Sequence, residues 1–150
     1  MKEIPIKKHI RYLFGIAFMV FILNKFFLRP WILEHDITGI ILVFTNSIPN
    51  MIEGIIGTLI ITGILLQGQL YFKKTLGAIK NMHVYILAII ITSIYVISQE
   101  LKFHNLGGNN VYDFYDLIAS IIGMAMTFAL IQRYGFTDRI EEVDRQLKNE

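Results

Sequence analysis

Residues 51–80 read MIEGIIGTLIITGILLQGQLYFKKTLGAIK. From Met51 to Phe72 the run is apolar but for Glu53 near its start and Gln67 and Gln69 near its end. A hydrocarbon core of roughly 30 Å needs about 20 helical residues, so this run is long enough to cross one. Three basic residues follow it, Lys73, Lys74 and Lys80. Where that loop lies relative to the two chain ends decides how many crossings the chain makes.

Working outward, three further runs qualify as spans: about 12–28, about 82–99 and about 117–132. Each is rich in Ile, Leu, Val and Phe and free of proline. Membrane barrels use short alternating strands, so these runs predict helices. Another stretch, ITGIILVFT (37–45), is apolar but only nine residues long, about 13 Å as a helix. Counting it as a crossing would put the Lys73/Lys74/Lys80 loop opposite the basic N-terminus. With four crossings, Lys2, Lys7, Lys8, Arg11, Lys73, Lys74, Lys80, Arg133, Arg139, Arg145 and Lys148 share one side, leaving only Lys25, Arg29 and Lys102 opposite. The positive-inside rule therefore predicts four spans, both termini in the cytoplasm, and a re-entrant or interfacial segment at 37–45 on the outer side.

Composition agrees. Of 150 residues, 54% are hydrophobic and 17% charged, too few polar groups to cover a small soluble domain. A net charge of +2 gives no footprint for nucleic acid. There is no cysteine, hence no disulfide or thiolate metal site. The reading is an all-α integral membrane protein of the cell inner membrane, with a transmembrane domain over 1–132 and a cytoplasmic tail over 133–150. The first run imitates a secretory signal but ends in Asn24-Lys25-Phe26-Phe27 without a small-residue cleavage site, so it reads as an uncleaved helix.

Small residues recur at helical spacing: Gly54, Thr58 and Thr62 on the second helix, and Ser120, Gly123 and Thr127 on the fourth. In lipid such stripes let backbones approach closely, so they predict packing seams. After the last span, Phe136, Ile140, Val143 and Leu147 recur at steps of four, three and four, which predicts a short amphipathic helix. The bilayer is the expected partner, with a second copy or another membrane protein as company for the seams and tail.

Polar residues gather at the outer boundary. Asn46-Ser47-Ile48-Pro49-Asn50-Met51-Ile52-Glu53 opens the second span, Gln99-Glu100 closes the third, and Asp113-Phe114-Tyr115-Asp116 opens the fourth. Asn50, Glu53, Gln99, Glu100, Asp113 and Asp116 are the candidate ligand- or ion-binding residues, because carboxylates at a membrane edge face protein or water. A purely structural account competes with this one. Asn50 with Glu53 fits a capping box, Asp113 and Asp116 suit a helix N-terminus, and Pro49 suits helix initiation. Glu100, at a helix C-terminus, is left unexplained by capping. His9, His35, His83 and His104 have no metal-ligand spacing, and neither a phosphate loop nor a nucleophile elbow is present, so no catalytic residue, metal or cofactor is expected.

The stretch from about 97 to 130 resembles the VanZ-like membrane proteins. Gln99-Glu100, Asp113, Asp116 and Gly123 stand where that family carries its acidic residues and glycine. Asn110 and Ser120 stand where it carries an Arg and an Asn. The opening Asn46-x-x-Pro49-Asn50 is also similar to the family pattern. The resemblance implies a cell-surface role, since named members lower susceptibility to glycopeptide antibiotics. Without the Arg, it implies no anion held at that position. An oligomeric pore or effector and an accessory subunit of a membrane complex are the alternatives.

Overall fold

The computed structural model describes residues 4–72, 76, 79–100 and 113–137. Its helices are α1 (Lys8–Leu23), α2 (Arg29–Glu34), α3 (Ile40–Tyr71), α4 (Asn81–Glu100) and α5 (Phe114–Tyr134), with a π-helical turn, Asn24–Leu28, joining α1 to α2. Four helical stretches, Lys8–Glu34, Ile40–Tyr71, Asn81–Gln99 and Phe114–Tyr134, are long and apolar enough to cross a membrane. The chain is thus a multi-pass membrane protein. Its outward faces carry side chains such as Phe18, Met19, Ile64, Ile94 and Ile121, which only lipid solvates well.

Proline and glycine explain how the first two spans depart from the sequence reading. The wide turn at Asn24–Leu28 falls just ahead of Pro30, the second residue of α2. Pro30 lacks an N–H and its ring crowds the preceding turn, and one extra residue in the ladder absorbs both effects. The helix then stops cleanly. Asp36 takes a left-handed conformation (φ 50°) while its N–H bonds the Leu33 carbonyl at 3.3 Å and the Ile37 N–H bonds the Ile32 carbonyl at 3.1 Å. These two bonds make a Schellman ending.

The second span does not begin at Met51. Residues 37–45 are not set apart by a break, because Ile40–Tyr71 is one helix of 32 residues with Pro49 inside it. Its length, about 48 Å, exceeds the hydrocarbon thickness by some 18 Å. Pro49 therefore initiates nothing, and Asn50 lies in mid-helix and caps nothing. A proline leaves the carbonyl four residues earlier without its helical donor. Here that carbonyl is Thr45's, and the Asn24 side-chain Nδ2 donates to it at 3.1 Å. Asn24 and Thr45 are each only 2% exposed, so water does not replace this bond. The helix runs through its proline because a neighbouring helix supplies the missing donor.

α3 is the centre of the bundle and touches α1, α2, α4 and α5. Its closest neighbour is α5, which runs parallel to it. A Cβ on Gly54 would strike the Ser120 carbonyl, and one on Gly123 would strike the Met51 carbonyl. The predicted stripes are thus a backbone-to-backbone seam. Their threonine hydroxyls turn inward on their own helices: Thr58 Oγ1 donates to the Gly54 carbonyl at 2.8 Å and Thr127 Oγ1 to the Gly123 carbonyl at 2.9 Å. Thr62 is the exception, fully buried with no partner for its Oγ1 among the described residues. Replacing it by the isosteric valine removes an unsatisfied hydroxyl. Thr62→Val should leave the protein as stable as before or more stable by about 1 kcal/mol, as read by unfolding in a denaturing detergent.

The start of the chain and the residues after α5 meet at one end. Ile6 pairs with Thr137 in an antiparallel bridge, and the Lys7 N–H donates to the Phe136 carbonyl at 3.1 Å. Lys7 Nζ donates to the Tyr134 carbonyl at 2.8 Å, and a His9 ring nitrogen lies 3.0 Å from the Gly135 carbonyl. Phe136 is 2% exposed, inserted where Gly63 has no side chain. The first residue of the expected tail stripe is thus part of the core, while Ile140, Val143 and Leu147 lie outside the described residues.

Candidate functional site

The candidate residues occupy the opposite end of the bundle, and they divide between two interfaces. The first is the α3–α5 seam. Ser47 Oγ donates to Asp116 Oδ1 at 2.9 Å, and Ser120 Oγ donates to the Asn50 carbonyl at 3.1 Å. Asp116 is half-buried, and its partner is a hydroxyl. Asn50 enters this interface through its backbone. Asp113 is the N-cap of α5, its Oδ1 accepting from the Tyr115 N–H at 2.9 Å. For Asp113 the capping account describes the geometry.

The second place surrounds Glu53. Its side chain lies on the wall of a hollow of about 680 Å³ between α1, α3 and α4. Phe18 and Phe21 come from α1, Ile56 and Ile60 from α3, and Ile91 and Tyr95 from α4. The Tyr95 hydroxyl and the Glu53 carboxylate face the same hollow, close enough for the two groups to interact electrostatically. Gln99 Nε2 donates to the same hydroxyl at 3.1 Å. Gln99, Tyr95 and Glu53 thus form a row of polar groups from the exposed end of α4 to the half-buried carboxylate. Tyr95 is five residues before the end of α4, about 7.5 Å inside it. Glu100 closes α4, and its side chain lies outside the described residues.

This arrangement follows from helix phase. Asn46, Asn50 and Glu53 are spaced four and three apart and share one face of α3, about 100° from the face that carries Ser47 and Gly54. Glu53 and Asp116 therefore cannot serve the same interface, although both sit near the same boundary. Asn46 Oδ1 is buried with no partner among the described residues.

Two participants escaped the sequence reading. Tyr95 lies within the third span and is given no role there, although its spacing of four from Gln99 could have paired them. Asn24 counts as a polar residue near a helix end. Subtracting four from Pro49 would have exposed an orphaned carbonyl at Thr45 and a need for a donor.

Among the described residues no three of His, Asp or Glu converge as a metal site would require. No protein-family model, no curated protein and no solved structure matches this chain.

Proposed function

We propose that this chain is a small VanZ-like inner-membrane protein, with both ends in the cytoplasm, that holds an envelope or lipid-linked ligand at Glu53. The observation that carries this reading is a carboxylate on the wall of an apolar hollow, with the Gln99–Tyr95 pair beside it. An ionised side chain at the centre of a membrane helix costs about 2.5–3.5 kcal/mol on insertion scales, and such residues mark ligand or ion paths. The hollow's apolar walls suit a hydrocarbon chain, and the carboxylate suits a cationic or hydrogen-bond-donating group at the head of that chain. The pore alternative is less well supported, because Gly54, Ser120 and Gly123 are buried in a helix–helix contact instead of lining a wetted path.

Dodecylammonium, fluorescently labelled at its tail, is a suitable probe for the purified protein in neutral detergent. Glu53→Gln keeps the size of the side chain and removes the charge. A charge-assisted hydrogen bond is worth about 1.5–3 kcal/mol, so affinity should fall about ten- to a hundredfold. Asp116→Asn, on the other interface, should leave it unchanged. Equal affinity of the native chain and Glu53→Gln would remove the basis for this assignment. In cells, the VanZ-like reading predicts that expression lowers glycopeptide susceptibility and that Glu53→Gln abolishes the effect.

A further inference from the structure

A second apolar hollow, of about 440 Å³, opens between α1 and α3 at the chain-end side of the bundle. Ile10 and Phe14 wall it from α1, and Ile60, Gly63 and Ile64 from α3. Arg11 stands on its lining as the only charged residue there among the described residues, and is itself exposed. Lys8, three residues earlier, shares that face of α1.

The two hollows are parts of one furrow. Arg11, Phe14, Phe18 and Phe21 recur at steps of three, four and three on α1, and Gly57, Ile60 and Ile64 at steps of three and four on α3. Ile60 lines both hollows. From Arg11 to Phe21 the furrow is about 15 Å long at 1.5 Å per residue, which is half the hydrocarbon thickness, or one leaflet. Arg11 stands at its chain-end edge, its alkyl stem against the nearly all-apolar wall and its side chain exposed, and hydrocarbon side chains line the stretch from there to Ile60.

We infer that the furrow is a binding site for an anionic phospholipid of the leaflet at the chain-end side. The headgroup phosphate lies against Arg11, and one acyl chain lies along Phe14, Ile60 and Ile64. Charge complementarity selects this occupant. A zwitterionic lipid brings a compensating ammonium to the same cation, and a second protein helix would have to cover Arg11. The headgroup end at Arg11 is distinct from Glu53, and the two sites adjoin at Ile60.

The test uses the full chain in neutral detergent, titrated with phosphatidylglycerol and phosphatidylcholine of identical chains, with bound lipid counted by native mass spectrometry. One basic side chain near an anionic lipid surface is worth about fivefold in affinity, so phosphatidylglycerol should bind about fivefold more tightly. Arg11→Gln should bring the ratio close to one, and Arg11→Lys should retain most of it. Glu53→Gln should leave it unchanged, which separates this site from the reading above. So should Lys25→Gln, a cation at the other end of α1. Millimolar inorganic phosphate should not displace the lipid, because the acyl chain contributes to binding. Equal affinities in the native chain, an unchanged ratio in a helical, soluble Arg11→Gln, or displacement by phosphate alone would each overturn the inference.

Discussion

Gly123→Ala should destabilise the protein by about 2–3 kcal/mol, and Gly54→Ala by a similar amount, although alanine is the better helix former at both positions. Helix propensity alone favours Ala over Gly by about 1 kcal/mol. Packing outweighs it because the obstacles are backbone: the Met51 carbonyl faces Gly123, and the Ser120 carbonyl faces Gly54. A flexible side chain could swing aside, but a carbonyl moves only if its whole helix moves. Overpacking of this kind costs about 1–3 kcal/mol and occasionally more. Separating α3 from α5 would also break the Ser47–Asp116 and Ser120–Asn50 bonds. Gly15 and Gly68 are the internal controls, since nothing lies within 4 Å of a Cβ built on either. Their alanine variants should be neutral or slightly more stable. Unfolding curves for the four variants in mixed micelles check the prediction, and equal curves for Gly123→Ala and Gly15→Ala would refute it.

Asn24→Leu should cost about 2–3 kcal/mol, and most of that cost should vanish when Pro49 is also replaced by alanine. The single substitution leaves the Thr45 carbonyl buried without a donor, and an unsatisfied polar group at membrane depth costs several kcal/mol before relaxation. Pro49→Ala restores an N–H four residues after Thr45, so the helix can satisfy the carbonyl itself. The two changes should therefore couple by more than about 1 kcal/mol in a double-mutant cycle. Additive effects would mean that Asn24 does not serve the proline-orphaned carbonyl. This coupling also bears on the site, because Pro49 and Glu53 line the same hollow. A change in the helix path at Pro49 would move the carboxylate relative to Tyr95.

The polar boundary shows how helix phase sorts residues that one-dimensional reading groups together. Glu53, Asp113 and Asp116 lie near one end of the bundle, yet each has a separate employment. Asp113 caps α5, Asp116 accepts from Ser47 across the seam, and Glu53 faces the hollow with Tyr95. Distance from a helix end is legible in a sequence. The direction in which a side chain leaves its helix has meaning only once the neighbouring helices are in place.

The residues alone determined that this is a four-helix membrane protein, because hydrocarbon thickness and the cost of bare backbone groups act on every apolar run in the same way. They also determined which stripes would pack closely, since only small side chains at steps of three and four permit it. Tertiary structure decided that α3 continues through Pro49, because the donor that makes this tolerable belongs to a residue 21 positions away on another helix. It likewise decided that Phe136 plugs the bundle and that Glu53 meets Tyr95, contacts set by which helices become neighbours. Hydropathy and spacing are properties of one helix at a time, and the partners of a buried polar group are not.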